Sequence, residues 1–134
     1  MKKNTIFSMS GLCLLLTVVC TATAYGVGPY SSNGITVLDN GTGLEWQQAD
    51  DGQTRTWSQA LAYCEDLSLG GHSDWRLPNI RELISIVDDS RYDPAIDPAF
   101  QCRSSGYWSA TTLAPNTDNA WGVYFYYGSD YWYL

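Results

Sequence analysis

The chain has 134 residues, a formal net charge of −7 at pH 7 and a hydrophobic content of 45%. This length suits one modest domain with a single main core. An acidic chain is a poor match for nucleic acid or for an anionic lipid surface, so neither is expected as a partner.

The first 24 residues have the form of an export signal. Lys2 and Lys3 precede an apolar run over residues 11–20, and Ala22-Thr23-Ala24 resembles a cleavage site. The apolar run is too short for an ordinary spanning helix. We therefore predict a signal peptide over residues 1–24, export to the periplasm, the cell surface or the medium, and no spanning segment after cleavage. Cleavage would remove two lysines and change the formal charge from −7 to −9.

The same cleavage would decide which cysteines remain. Cys13 and Cys20 would leave with the signal, and Cys64 and Cys102 would stay in the mature chain. Exported proteins fold where disulfides form. A bond between Cys64 and Cys102 is therefore allowed, although sequence spacing alone does not show that the two thiols meet.

The mature chain begins with a short leader and a strand pair. Residues 25–34 are rich in Gly, Ser and Pro and are interpreted as a leader segment. Residues 35–38 and 44–46 read as strands, and the Asp, Asn and Gly residues between them predict a hairpin turn. The folded domain is accordingly placed at residues 35–134.

Two helices follow the strand pair. The first is predicted by a capping box of Thr56 with Gln59 and by apolar residues at helical spacing, namely Trp57, Ala60, Leu61, Cys64 and Leu67. The second starts after Pro78, with Asn79 as its cap and Glu82 three residues later. Its expected buried face consists of Ile80, Leu83, Ile84 and Val87.

The remaining sequence predicts a loop and three strands. Two Asp-Pro steps make residues 88–103 a loop. Strands are expected at 107–111, 121–127 and 130–134, and alternation assigns Trp121, Val123 and Phe125 to the core and Gly122, Tyr124 and Tyr126 to the other face. This order predicts an α+β fold with two helices packed on a mainly antiparallel sheet.

The sequence offers little for catalysis or for a transition metal. His72 is the sole histidine, and no serine lies in a G-x-S-x-G turn. One histidine and two cysteines are too few for a zinc site. Two acidic loops supply oxygen ligands of the kind calcium prefers, although EF-hand spacing is absent. We expect no cofactor, with calcium as the alternative; the acidic residues are Asp50, Asp51, Asp88, Asp89, Asp93 and Asp97.

The densest motif joins the two helices. In Asp74-Trp75-Arg76-Leu77-Pro78, Trp75 and Leu77 are expected to enter the core. Asp74 and Arg76 are expected to pair or to satisfy backbone groups beneath the second helix. We interpret the block as a structural motif rather than a reactive one.

With the Arg81-Glu82-Leu83 that follows it, this block makes the chain resemble the Lcl C-terminal domain family, a bacterial family named after part of a collagen-like adhesin. The resemblance covers about residues 35–134. It implies a C-type-lectin-like fold, akin to that of formylglycine-generating enzymes, with ligand binding rather than turnover. The other segments that carry it are Leu44-Glu45-Trp46, Thr56-Trp57-Ser58-Gln59-Ala60, Ala62-Tyr63-Cys64, Tyr107-Trp108-Ser109-Ala110-Thr111 and Ala120-Trp121.

The chain departs from the family pattern in two respects. Family members usually continue into a final strand, and in lectin-like folds a cysteine of that strand commonly pairs with one on the first helix. Because the chain ends at Leu134 without such a segment, we interpret the domain as lacking its final strand; Cys102 could replace the missing partner, or Cys64 could stay a buried thiol. The named member binds sulfated glycosaminoglycans, which a charge of −9 disfavours.

The expected function is a secreted or surface module, adhesin-like or lectin-like, that binds a glycan or a protein without catalysis. One alternative is a structural or interaction domain of the bacterial envelope, including a truncated paralogue. Another is an oxidase of the formylglycine-generating type, and a third is that the tyrosines mark no site. The oligomeric state is left open. The candidate ligand-binding residues are Tyr124, Tyr126, Tyr131, Tyr133, Asn116, Asp118 and Asn119.

Overall fold

The computed structural model describes residues 9–10, 12–15, 29–114 and 118–133. They form an α+β fold with two helices, as the sequence predicted, but the strands make two sheets where one was expected. The strands are β1 (Met9–Ser10), β2 (Leu14–Leu15), β3 (Tyr30–Ser32), β4 (Thr36–Asp39), β5 (Glu45–Gln47), β6 (Trp75–Arg76), β7 (Gly106–Thr112), β8 (Ala120–Tyr124) and β9 (Ser129–Tyr133); the helices are α1 (Trp57–Asp66) and α2 (Ile80–Ser85).

The two sheets differ in strand direction. One has the order β1-β7-β8-β9, in which β1 runs parallel to β7 and the other neighbours are antiparallel. The second has the order β3-β4-β5-β2-β6 and is antiparallel throughout. The predicted hairpin between β4 and β5 is confirmed, and its turn is closed by the Asp39 carboxylate, which accepts from the Gly41 amide at 2.8 Å.

Both predicted helices are present with their capping boxes. The Thr56 hydroxyl accepts from the Gln59 amide, and the Gln59 side chain accepts from the Thr56 amide. Asn79 and Glu82 make the equivalent pair at α2. Leu83 is fully buried, but Ile84 is 42% exposed, so its assignment to the buried face was wrong. A helix of six residues has one side against the core, and Ile84 lies off that side.

The core has two clusters. The first surrounds Trp46 and includes Leu83 and Phe125, and the second surrounds Cys64 and Trp75 on α1 and β6. Residues 12–15 reach both clusters, because Leu12 and Leu14 belong to the first and Cys13 belongs to the second. This segment lies inside the predicted signal peptide. Residues 30–32, interpreted above as part of a leader, form β3.

The structure pairs Cys64 with a cysteine that the sequence analysis had assigned to the signal peptide. Cys64 is bonded to Cys13, with the two Cα atoms 5.4 Å apart, and Cys102 is not in a disulfide. Cys64 faces the second cluster, whereas Cys102 packs against the first. Cys64 and Cys102 are therefore held in different parts of the core, and the Cys64–Cys102 bond that the sequence left open is not present.

The predicted strand over 121–127 is shorter than expected. Strand β8 ends at Tyr124, because the Tyr124 carbonyl accepts from the Gly128 amide at 2.9 Å and the chain turns back over residues 125–128. Val123 and Phe125 are fully buried, as alternation predicted, while Trp121 is half-buried.

Candidate ligand-binding surface

Three tyrosines lie together at the turn between β8 and β9. We call Tyr124, Tyr126 and Tyr127 the tyrosine turn. The rings of Tyr124 and Tyr126 are stacked with their centroids 6.1 Å apart, and Tyr127 packs edge-on against Tyr126 at 4.5 Å. Offset and edge-to-face contacts are favourable ring arrangements, so the three rings form one aromatic surface.

The backbone of this turn is held by the neighbouring loop. The Ala95 amide donates to the Phe125 carbonyl at 2.6 Å, and the Asp93 amide donates to the Tyr126 carbonyl at 3.0 Å. These hydrogen bonds are between segments about thirty residues apart in sequence. They hold the main chain of the turn in place.

Gly128 allows the turn to sit close to the end of α2. Its φ is +74°, and a Cβ atom placed there would lie 2.5 Å from the Val87 Cγ1 atom and 3.3 Å from the Ala95 Cβ atom. A contact of 2.5 Å is well inside normal van der Waals separation. The close approach and the left-handed backbone both require glycine at this position.

The surface is open to solvent at one side. Tyr127 is 66% exposed, and Tyr124 and Tyr126 are half-buried. Tyr92, 74% exposed, immediately precedes the residue whose amide binds the Tyr126 carbonyl. Tyr92 and Tyr127 were not among the predicted site residues. The sequence feature that could have identified Tyr127 is its position directly before Gly128, where the alternation of the strand stops.

The other predicted ligand residues are distributed differently. Tyr131 and Tyr133 lie in β9 opposite Gly122 and Ala120. Asp118 is exposed, and Asn119 is buried, with its carbonyl accepting from the Leu113 amide at 2.8 Å. Asn116 lies outside the described residues. The structure thus brings Tyr124 and Tyr126 together with Tyr127, and it places Asn119 away from solvent.

Two acidic residues of the first loop, Asp50 and Asp51, have protein partners. Asp50 accepts hydrogen bonds from the Tyr107 hydroxyl at 2.6 Å and from Arg103. Burial would raise the pKa of Asp50, but these bonds outweigh burial and lower it. Asp51 pairs with Arg55. In the part of the chain that the structure describes, no group of three or more His, Cys, Asp or Glu residues is placed to hold a metal ion.

Cys102 and His72 are two side chains that could in principle react, and their surroundings differ. Burial is the main reason that the pKa of the Cys102 thiol is raised to about 11. A thiol with such a pKa carries little of the reactive thiolate at neutral pH. The His72 Nε2 atom lies 3.9 Å from a Glu45 carboxylate oxygen, too far for a hydrogen bond.

The Asp74-Trp75-Arg76-Leu77-Pro78 block fastens α2 to the sheets. The Arg76 guanidinium donates to both Glu82 oxygens, at 2.9 and 2.7 Å, whereas Asp74 is exposed. Trp75 and Leu77 are buried, as predicted. The Pro78 carbonyl accepts from the Ala110 amide at 2.7 Å, which joins the block to β7.

These features define a small, disulfide-linked α+β domain with an exposed aromatic turn. None of the helices in the described ranges is long and apolar enough to cross a membrane. The family model of the Lcl C-terminal domain matches residues 35–134. The chain therefore belongs to the Lcl C-terminal domain family. No curated protein and no solved structure matches the chain.

Proposed function

We propose that this chain is a secreted or surface ligand-binding module, adhesin-like or lectin-like, which recognises a glycan or a protein through the tyrosine turn. Its fold is taken to be C-type-lectin-like. The observation that carries the proposal is the set of three touching rings, of which the outermost, Tyr127, is 66% exposed.

Physical chemistry supports this role for tyrosine. A tyrosine side chain offers a large flat contact area with few rotatable bonds, and its hydroxyl adds a hydrogen bond at the edge. The turn is already fixed by the amides of Asp93 and Ala95. Little ordering entropy would then be lost on binding.

We further propose that the module is non-catalytic and needs no cofactor. One cysteine that an oxidase of the formylglycine-generating type could use, Cys64, is in a disulfide, and the pKa of the other, Cys102, is raised to about 11. In one of the acidic loops, Asp50 and Asp51 are engaged by Tyr107 and Arg55. Binding is expected to be unchanged when a chelator removes calcium.

Charge narrows the ligand class. The segments beside the tyrosine turn expose more negative than positive charges. The exposed carboxylates are those of Asp89, Asp93 and Asp130, and Arg91 is an exposed cation. A neutral or cationic ligand is therefore favoured over a sulfated polysaccharide. On a glycan array, neutral oligosaccharides should bind and heparin should not.

The test compares two surface variants of the exported protein. Tyr126→Ala with Tyr127→Ala is expected to weaken binding by about tenfold or more, because buried aromatic contacts are typical binding hot spots. Ile84→Ala, another exposed apolar position at 42% exposure, is the control and should bind normally. Unchanged binding by the double tyrosine variant would exclude this surface. A folded protein that binds neither glycan nor protein would favour the structural envelope domain instead.

A further inference from the structure

The rings of the tyrosine turn point their faces in more than one direction. The rings of Tyr124 and Tyr126 are inclined at 22° to each other, whereas Tyr127 stands at 60° to the first and at 77° to the second. The face of an aromatic ring carries partial negative charge. A tyrosine that is 66% exposed cannot have both faces covered, so Tyr127 presents an electron-rich face to solvent.

The loop that borders the turn is acidic. Residues 88–97 contain four aspartates and one arginine. The amide of one of these aspartates, Asp93, donates to the Tyr126 carbonyl at 3.0 Å, and the residue is exposed. Its carboxylate accepts a hydrogen bond from the Ser104 hydroxyl and forms no ion pair within the described residues. An exposed negative charge therefore lies beside the exposed ring.

A tyrosine ring and a carboxylate together hold an arginine elsewhere in this chain. The Arg55 Cζ atom lies 3.8 Å from the centroid of the Tyr63 ring, and the same guanidinium pairs with the Asp51 carboxylate. A cation over a tyrosine face is attracted by the ring, and a planar guanidinium can stack there while it donates to a carboxylate. In the described part of the chain, no arginine lies over the ring of Tyr127.

We propose that the tyrosine turn binds an arginine side chain of a partner protein; this ligand class rests on the function proposed above for the same surface. The guanidinium lies over the open face of Tyr127, and the Asp93 carboxylate attracts its charge. That attraction does not need direct contact, because an exposed charge acts over about 8 Å at physiological ionic strength. The acidic loop also steers a cationic partner towards the rings.

Arginine uses both features of this surface, and the other ligand classes use one. A neutral sugar would lie against the rings but would gain no charge attraction from the loop. A lysine ammonium would be attracted by the carboxylate, but it lacks the flat surface that stacks on a ring. A sulfated chain would be repelled by the aspartates. The charge and the exposed ring together therefore favour a guanidinium.

The experiment compares two short peptides that differ in the charge of one side chain. The first is acetyl-Gly-Ser-Arg-Ser-Gly-amide, and the second has citrulline in place of arginine. In citrulline an oxygen replaces one guanidinium nitrogen, so the side chain stays planar and loses its charge. NMR titration of the full chain follows the amides of residues 124–128 and gives a Kd for each peptide.

We expect the arginine peptide to bind about fivefold more tightly than the citrulline peptide, because only the arginine has a cation for the ring and the carboxylate. Asp93→Asn should reduce this ratio, since it removes the charge and keeps the size of the side chain. Asparagine also tolerates the positive φ of +52° at this position. Asp74→Asn, which neutralises another exposed aspartate, is the matched control and should leave the ratio unchanged.

Two variants of Tyr127 separate the ring from its apolar area. Tyr127→Phe keeps the aromatic face and should keep the preference for arginine, whereas Tyr127→Leu keeps an apolar side chain and should abolish it. An unchanged ratio in both Asp93→Asn and Tyr127→Leu would overturn the proposal.

The titration also distinguishes this proposal from the broader function. Equal binding of the two peptides, with shifts at residues 124–128, would exclude arginine as the ligand class and would retain the tyrosine turn as a binding surface. The absence of shifts at these residues with either peptide would overturn the arginine proposal and would also count against the tyrosine turn as a site for protein ligands.

Discussion

Three of the tryptophans and the three tyrosines of the tyrosine turn occupy different environments. Three tryptophans bridge elements through their indole N–H groups, which donate to backbone carbonyls: Trp57 to Ser109 at 2.9 Å, Trp75 to Leu69 at 3.2 Å and Trp108 to Arg55 at 3.0 Å. In the tyrosine turn the rings contact one another, and Tyr127 is mostly exposed.

This difference separates aromatic residues that hold the fold from those that form its surface. A buried ring contributes through its area removed from water, and the indole N–H groups of these three tryptophans each have a backbone partner. An exposed ring contributes little to folding and can contribute to binding. Mutations in the two regions should therefore affect different properties.

The largest expected effect is at Trp75. Trp75→Ala should lower the free energy of unfolding by about 3–5 kcal/mol, the usual cost of removing a buried tryptophan. Urea unfolding measures the loss. If the alanine variant does not fold, Trp75→Phe keeps part of the buried area and should still be less stable than the parent chain. A loss below about 1 kcal/mol would show that Trp75 is not part of the core.

The second loss of stability is expected at Gly128, which directly follows Tyr127 and lies close to Val87 and Ala95. Gly128→Ala puts a Cβ atom 2.5 Å from Val87 Cγ1 at a φ of +74°. Gly34→Ala is a matched control, because its φ is +88° and no atom lies within 4 Å of the added Cβ. The Gly128 variant should be less stable than the control by about 1–3 kcal/mol, the cost of overpacking. Equal losses would mean that backbone strain alone matters.

A smaller loss of unfolding free energy is expected when the Arg76–Glu82 pair is broken, and this loss depends on pH. Burial would raise the pKa of Glu82, but hydrogen bonds from Arg76 and the Asn79 amide outweigh it and lower the pKa below 4.5. Because the folded-state pKa is lowered, the stabilisation is present above pH 4.5 and is lost as the pH falls through the folded value.

Glu82→Gln should therefore cost about 1 kcal/mol at neutral pH. The gap between this variant and the parent chain should narrow as the pH falls below 4.5, the ordinary value for the group. Urea unfolding at several pH values measures the gap. A gap that is the same at all pH values would contradict the assigned pKa shift.

The smallest effect on stability is expected at Tyr127. Because the ring is 66% exposed, Tyr127→Ala should change the free energy of unfolding by less than about 0.5 kcal/mol. The same variant should weaken ligand binding if the tyrosine turn is the site. A large loss of stability would show that Tyr127 stabilises the fold as the buried tryptophans do, and it would contradict the assignment of Tyr127 to a binding surface.

Local patterns in the sequence were sufficient for the helices and for the hairpin between β4 and β5. Thr56 with Gln59, and Asn79 with Glu82, use side chains that bind amides three residues away, so neighbours alone determine these caps. The Asp39–Gly41 turn is equally local. Alternation also placed Val123 and Phe125 in the core.

Contacts between segments that are distant in sequence could be identified only from the tertiary structure. Whether Cys64 meets Cys13 or Cys102 depends on which core cluster each one faces, and spacing along the chain carries no such information. Arg76 could have paired with Asp74 two residues away. Instead α2 packs close to β6, and the Arg76 guanidinium donates to Glu82.

The sequence by itself determined the α+β class, the two capped helices and the family, because each depends on residues close together in the chain or on a motif within one segment. Only the tertiary structure decided the disulfide, the burial of residues 12–15 between β5 and β6, and the grouping of Tyr127 with Tyr124 and Tyr126. Those features arise where the chain packs against itself, and packing depends on the shapes and hydrogen bonds of segments that sequence order keeps apart.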